Sequence, residues 1–228
     1  MTRTRVLIYD CDGVLFDSRD SNRAFYDHIL ARFGLPPMRP EQLSFVHAST
    51  AEEAIDFLFR DHPKRLEAQA YRLSMDYRPF VPLMRPEPHV REVLARVRPR
   101  YRTAIATNRG LTMPLVIREH RLEGLFDLTV TSLDVREPKP HPECLLKILS
   151  HFELEPDEAI YIGDSEVDRL VAERASVPFV AYKNPGLAAR HHIRDHLEIL
   201  RILDNGSAIP GGGSDSQVTR PNPRAKAL

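Results

Sequence analysis

The sequence predicts an α/β fold, a Rossmann-like parallel sheet core carrying an inserted all-helical cap. Three observations predict it. Short apolar, β-rich runs recur along the chain and each stops at polar residues. Amphipathic segments with helical spacing separate these runs. One interval, of roughly 65 residues after the first run, holds helical patterns only, far more chain than a crossover between neighbouring strands uses.

The first run, Val6-Leu7-Ile8-Tyr9, ends at Asp10. An apolar run without alternation reads as a strand buried on both faces, as in a parallel sheet. Thr103–Ala106 ends at Thr107 and Asn108, and Leu128–Thr131 ends near Ser132. Ala159–Ile162 ends at Gly163 and Asp164, and Pro178–Tyr182 at Lys183 and Asn184. Helices are expected between them. Pro88–Val97 carries Val90, Val93, Leu94 and Val97 on one face; Met113–Glu119 is short. Pro142–Phe152 carries Leu145, Ile148, Leu149 and Phe152, and Val167–Ala175 follows the fourth run. This alternation builds a parallel sheet, whose ligands bind beyond the carboxyl ends of the strands.

In the long interval, Asn22–Phe33 reads as a helix through Phe25, Ile29, Leu30 and Phe33. Ala51–Phe59 does so through Ile55, Leu58 and Phe59, and Leu66–Tyr77 is a third candidate. The expected organisation is a catalytic core of 1–17 and 85–204 with a helical cap over 18–84. From Asn205 onward Gly, Ser and Pro replace any apolar period, so 205–228 is expected to be a disordered tail.

Lysine plus arginine number 32 and so do aspartate plus glutamate. The balance leaves no global field for nucleic acid or an anionic membrane, and neither partner is expected. Cys11 and Cys144 make no disulfide framework. Cys11, beside Asp10, should point into packing, and Cys144 should lie on a core helix face. No apolar run reaches the ~20 residues of a membrane span. Arg3 and Arg5 lead straight into a strand rather than a signal segment, so a cytoplasmic location is expected. Nothing in the sequence fixes an oligomeric state.

The chemistry concentrates in Asp10-Cys11-Asp12-Gly13-Val14-Leu15-Phe16-Asp17-Ser18. Two carboxylates two residues apart would share a face in an extended chain, but here the chain turns and Asp12 can swing to the far side of a ligand. Like charges so close are costly unless a cation or proton intervenes. Mg²⁺, which takes carboxylate, carbonyl and water oxygens, would resolve the cost. Asp164 and Asp168 form a second acidic pair at helical spacing after the fourth run. If strands one and four are neighbours, the four acids make a cage. Thr107 and Asn108 offer a hydroxyl and main-chain N–H groups for phosphate oxygens. Lys139, held out of a helix by prolines, supplies a cation, with Arg136 a weaker candidate nearby. Each has a plainer reading: strand-end caps for Asp10, Asp12 and Asp164, a helix-start acid for Asp168, a helix cap for Thr107, a solvated loop lysine for Lys139.

In this order the parts resemble the four sequence motifs of the haloacid dehalogenase (HAD) superfamily. The first is Asp10-x-Asp12-Gly13-Val14-Leu15, the second Thr107, the third Lys139, the fourth Gly163-Asp164-x-x-x-Asp168. The insertion point after Asp17-Ser18 is similar to the helical caps of phosphoglycolate phosphatase-like and β-phosphoglucomutase-like members. The resemblance implies a Mg²⁺-dependent phosphatase acting on a small phosphorylated metabolite. Asp10 would be the nucleophile and Asp12 the acid and base. Asp10, the carbonyl of Asp12 and Asp164 would hold the metal, supported by Asp168. Thr107, Asn108 and Lys139 would bind phosphate. An acid at position 12 favours phosphate over halide chemistry, because halide departure needs no proton. A mutase of this fold would carry a His where Asn22 stands, and a phosphonatase a cap lysine that has no match here. A non-catalytic binding member is the remaining alternative. Substrate choice is expected from the cap, with Arg19, Asn22, Arg23, His47, Ser49, Thr50 and Arg72 as candidates.

Overall fold

The computed structural model describes residues 4–206. Strand β1 (Val6–Tyr9) is wholly buried and leads into a short turn and β2 (Phe16–Asp17). Four helices follow: α1 (Arg19–Arg32), α2 (Pro40–Ala48), α3 (Ala51–Leu58) and α4 (Arg65–Ser74). A 3₁₀ turn over Arg78–Leu83 brings the chain to β3 (Arg85–Pro86). The alternation then runs α5 (Val90–Val97), β4 (Arg102–Ala106), α6 (Met113–Glu119), β5 (Leu128–Val130) and α7 (Glu143–Phe152). It closes with β6 (Ala159–Gly163), α8 (Glu166–Arg174), β7 (Phe179–Tyr182), β8 (His191–Ile193) and α9 (Leu197–Gly206).

Six strands form one parallel sheet in the order β5-β4-β1-β6-β7-β8. Strands β1 and β6 are neighbours, with Tyr9 opposite Ile162. Strand periodicity splits the core into two layers. Leu7, Tyr9, Ile105, Ile162 and Val180 pack with Val93, Leu94, Met113 and Ile199 on one face. Val6, Ile8, Ala104, Tyr161 and Ala181 pack with Leu145, Ile148 and Val171 on the other. A sheet covered on both faces needs apolar residues at every position of its central strand, which is why β1 lacks alternation. Cys11 is buried in the first layer and Cys144 in the second.

Helices α1 to α4 lie between β2 and β3, which pair antiparallel, Phe16 with Pro86 and Asp17 with Arg85. The chain thus leaves and re-enters the core through one two-stranded neck. The helical insert has its own apolar centre. Phe25 meets Tyr26, Tyr77 and Phe80 edge to face at ring separations of 5.1, 5.2 and 5.3 Å. Such pairs add about 0.5–1.5 kcal/mol each beyond area burial. Thr50 caps α3, accepting from the Glu53 N–H, while Glu53 accepts from the Thr50 N–H.

Helices α2 and α9 and strands β2, β3 and β8 are not among the elements expected from the sequence. The apolar residues that helix α2 buries are Leu43 and Val46. Strand β8, an edge strand with His191 and His192 exposed, carries no strand signal. Helix α9 runs to Gly206, so the start expected for the tail at 205 falls inside a helix. The rest of the expected tail, 207–228, lies outside the described residues. Among the described residues no helix is long and apolar enough to cross a membrane.

Candidate active site

Asp10 follows β1 directly, its N–H donating to the Ile162 carbonyl at 2.9 Å. That bond extends the β1–β6 pairing one residue beyond the strand and fixes where the carboxylate emerges. Asp164 emerges one residue beyond β6. Asp168 sits in the first turn of α8, whose N-cap Ser165 accepts from the Asp168 N–H at 3.2 Å. Carboxylate oxygens of Asp10, Asp164 and Asp168 all lie within 4.8 Å of one another.

Two glycines permit this convergence. Gly13 has φ +84°, and a Cβ there would collide with the Asp164 carboxylate. Gly163 has Asp168 packed where its Cβ would stand. A larger residue at either place would push an acid out of the cluster.

Lys139 is the cluster's cation. Its Nζ donates to Asp10 Oδ1 at 2.8 Å, Asp168 Oδ1 at 2.7 Å and the Tyr161 hydroxyl at 2.9 Å. Those three bonds use every ammonium donor. Its backbone is held by Asn108, which accepts from the Lys139 N–H at 3.0 Å and donates to the Lys139 carbonyl at 3.1 Å. The second Nδ2 bond of Asn108 reaches the Ala48 carbonyl of the cap at 3.1 Å. The Asn108 side chain therefore braces the lysine loop and the cap, leaving only main-chain groups at this position for phosphate. Thr107 is buried on the cavity wall and its hydroxyl accepts from the Arg109 N–H at 3.1 Å.

The acids differ in electrostatic state. Burial, reinforced by Asp168 and Asp12 and opposed by Lys139, pushes Asp10 up to about 7. Burial and the neighbouring Asp168 and Asp10 push Asp164 well above the usual carboxylate range. Asp168 is buried too, but Lys139, Ser165 and Tyr161 hold it below that range. Both its oxygens are occupied: Oδ1 by Lys139 and Tyr161, Oδ2 by the Ser165 hydroxyl at 2.6 Å. Three crowded carboxylates against one lysine leave an excess of negative charge that a divalent cation with oxygen ligands would balance.

Asp12 stands apart from this cluster, facing Arg109. Arg109 Nη2 donates to Asp12 Oδ1 at 2.5 Å and Nε to Oδ2 at 3.0 Å; the Ser18 hydroxyl also donates to Oδ1. Burial would raise its pKa, but the guanidinium outweighs burial and holds the carboxyl down at about 2. The expected four-acid cage is thus three acids plus one turned outward to an arginine. Sequence reasoning passed over Arg109. Its signal was position: a base next to Thr107-Asn108, past the end of a central strand.

A cavity of about 910 Å³ opens over these residues, walled by core and cap. Asn22, His47, Ser49, Thr50 and Arg72 line it, as does Arg136 from the core. Arg19 and Arg23 do not; Arg23 Nη1 donates to the Met38 carbonyl.

A parallel α/β sheet with acids and a buried lysine at its carboxyl edge, roofed by a helical insert, defines a capped hydrolase. The chain belongs to the haloacid dehalogenase-like hydrolase family, whose model matches residues 7–182. It is similar to phosphoglycolate phosphatase of Aquifex aeolicus, 25% identical over 75% of this chain and 81% of that protein. A shorter match, 33% identical over 36% of this chain and 38% of the relative, is to the pyrophosphatase PpaX of Bacillus thuringiensis. A solved HAD-superfamily hydrolase of subfamily IA from Geobacter sulfurreducens is 42% identical. It covers 88% of this chain and 96% of its own, with a TM-score of 0.73. The chain is an enzyme, a phosphatase of the HAD type.

Proposed function

We propose that the enzyme is a Mg²⁺-dependent phosphate monoester hydrolase that works on a small phosphorylated metabolite through an aspartyl phosphate on Asp10. The observation that carries this is the meeting of Asp10, Asp164 and Asp168 within 4.8 Å, with Lys139 bonded to two of them. Asp10, Asp164 and the main-chain carbonyl of Asp12 would hold the metal, with Asp168 behind. When bound it supplies positive charge against the phosphoryl oxygens.

Asp10 presents one oxygen to phosphorus while Lys139 keeps the other on its ammonium. The new Asp10 O–P bond forms as the bond from phosphorus to the leaving oxygen breaks, and Asp12, once it has left Arg109 and taken up a proton from solvent, gives that oxygen its proton. In the second step Asp12 takes a proton from water. The water oxygen attacks phosphorus, and the O–P bond to Asp10 breaks to return the carboxylate. Thr107, the main chain near Asn108, and Lys139 balance the transferring charge. Residues 18–84 act as the cap that excludes water, and 1–17 with 85–204 as the core. The relatives named for phosphoglycolate and pyrophosphate hydrolysis support a small substrate.

The test is phosphate release across a panel of phosphomonoesters, with Mg²⁺ or with EDTA. Activity is expected with Mg²⁺ alone, and Asp10→Asn is expected to lose it. Equal phosphate release by wild type and Asp10→Asn would sink the reading.

A further inference from the structure

Asp12 cannot face a leaving group in the arrangement seen here. Arg109 occupies both of its oxygens, and Ser18 adds a second bond to Oδ1. Arg109 is itself saturated. Besides Asp12, Nη1 donates to the Tyr77 hydroxyl at 2.9 Å and to Thr112 at 3.1 Å, and Nη2 to Asn22 Oδ1 at 3.3 Å. All five guanidinium N–H positions have acceptors. The side chain is only 6% exposed. If Asp12 turns toward the leaving oxygen, a buried guanidinium loses its carboxylate, which is strongly unfavourable unless another anion takes the place.

The cavity offers such an anion a second partner. A guanidinium only donates, so the Asn22 oxygen faces Arg109 and its amide N–H₂ faces His47 Nδ1, at 3.0 Å. Nδ1 is then the acceptor, and Nε2 of the neutral ring carries the hydrogen. That Nε2 is buried and has no hydrogen-bond partner among the described residues, on a residue lining the cavity. An unsatisfied buried donor is destabilising, and an incoming acceptor would remove that cost.

We propose that Arg109 is a specificity gate: it holds Asp12 away from the reaction until a substrate whose leaving group carries its own anion accepts from Arg109 and His47 and releases Asp12. The substrate class is a phosphomonoester or phosphoanhydride whose leaving group carries a carboxylate or a second phosphate close to the bridging oxygen. The proposal rests on the phosphatase reading above and adds the chemistry of the leaving group.

The experiment compares 2-phosphoglycolate with 2-hydroxyethyl phosphate, nearly equal in size but neutral in the leaving group, with pyrophosphate as the arm for a phosphate anion. Wild type should favour one of the two anionic leaving groups by at least about 100-fold in kcat/KM, the scale of two charged hydrogen bonds. Which of the two wins tells carboxylate from phosphate. In Arg109→Met that preference should collapse to less than about tenfold, with kcat on the neutral ester rising because Asp12 is released. A purely structural role would lower all substrates alike, and that outcome overturns the gate. So does a wild type without preference for an anionic leaving group, a result that needs no variant. Should Arg109→Met fail to fold by circular dichroism, Arg109→Lys, which keeps charge without the fork, carries the comparison and should lose preference in part. A wild type that releases no phosphate from any of the three with Mg²⁺, nor from a wider panel, overturns the phosphatase reading itself.

Discussion

Replacing Lys139 by Met keeps the length of the side chain and removes its charge. The side chain is 3% exposed and its ammonium is bonded to Asp10 and Asp168 at 2.8 and 2.7 Å, so both acids lose a partner in one step. Breaking a buried pair by deleting one member costs about 3–5 kcal/mol, because the other charge is left uncompensated. For a domain of this size each kcal/mol moves Tm by about 2–4 °C, so Lys139→Met should melt about 6–20 °C lower. The loss should depend on Asp168. In the double variant Lys139→Met/Asp168→Asn one of the two stranded carboxylates is gone, and the two changes together should cost less than their sum by about 1–3 kcal/mol. Activity answers separately. In the proposed mechanism Lys139 balances the transferring phosphoryl group, so kcat should fall about 10²–10³-fold, as when one preorganised donor is removed. Differential scanning calorimetry at pH 7.5 reads the first quantity and phosphate release with Mg²⁺ the second. A Tm within about 2 °C of wild type, or strict additivity in the double variant, would refute the reasoning.

Two further outcomes follow from the same cluster. Asp10 rises from 3.8 in the unfolded chain to about 7 when folded. Its contribution to stability is therefore fully present below the unfolded value and lost as pH rises through about 7. Metal-free protein should lose Tm between pH 5 and 8, and Mg²⁺, which binds ionised carboxylates, should restore far more Tm at pH 8 than at pH 5. Equal restoration at both pH values would contradict it. Asp168, held low, has the opposite sign; its contribution is lost only in acid, below this window. Gly13→Ala should lose about 1–2 kcal/mol, because alanine resists a positive φ. It should also lose about 10²-fold in turnover as Asp164 is displaced. Chemical denaturation and the same phosphate assay check both, and a wild-type rate would mean that Asp164 need not sit where it does.

The sheet was legible because its inner strands are buried on both faces, and an apolar run stopping at a charged residue has little else to be. Val6–Tyr9 before Asp10 and Ala159–Ile162 before Asp164 are such runs, and they place the acids before any side chain is seen. Edge and satellite elements carried weaker signals. His191-His192-Ile193 buries only Ile193. Pro40–Ala48 buries two apolar residues, too few for a period. Helix α9 is different: Ile199 and Leu203 are buried four residues apart, so its spacing was present in the sequence.

What sequence spacing could not supply was the partner of each charge. Lys139 had a second reading as a solvated loop residue, and only the fold brings its ammonium within 2.8 Å of an oxygen of Asp10, 129 residues away along the chain. Asp12 shows the same limit more sharply. Beside Asp10 in sequence, it belongs in space to Arg109, 97 residues on, and through Arg109 to Asn22 and Tyr77 of the helical insert. The motif positions thus set which groups can react, while the bonds of Arg109 tie one of them to the cap. Any movement of the cap that shifts Asn22 and Tyr77 must also loosen the arginine on Asp12. A roof built this way would respond to what the leaving group carries while Asp10, the proposed nucleophile, held by β1 and Lys139, stays in place.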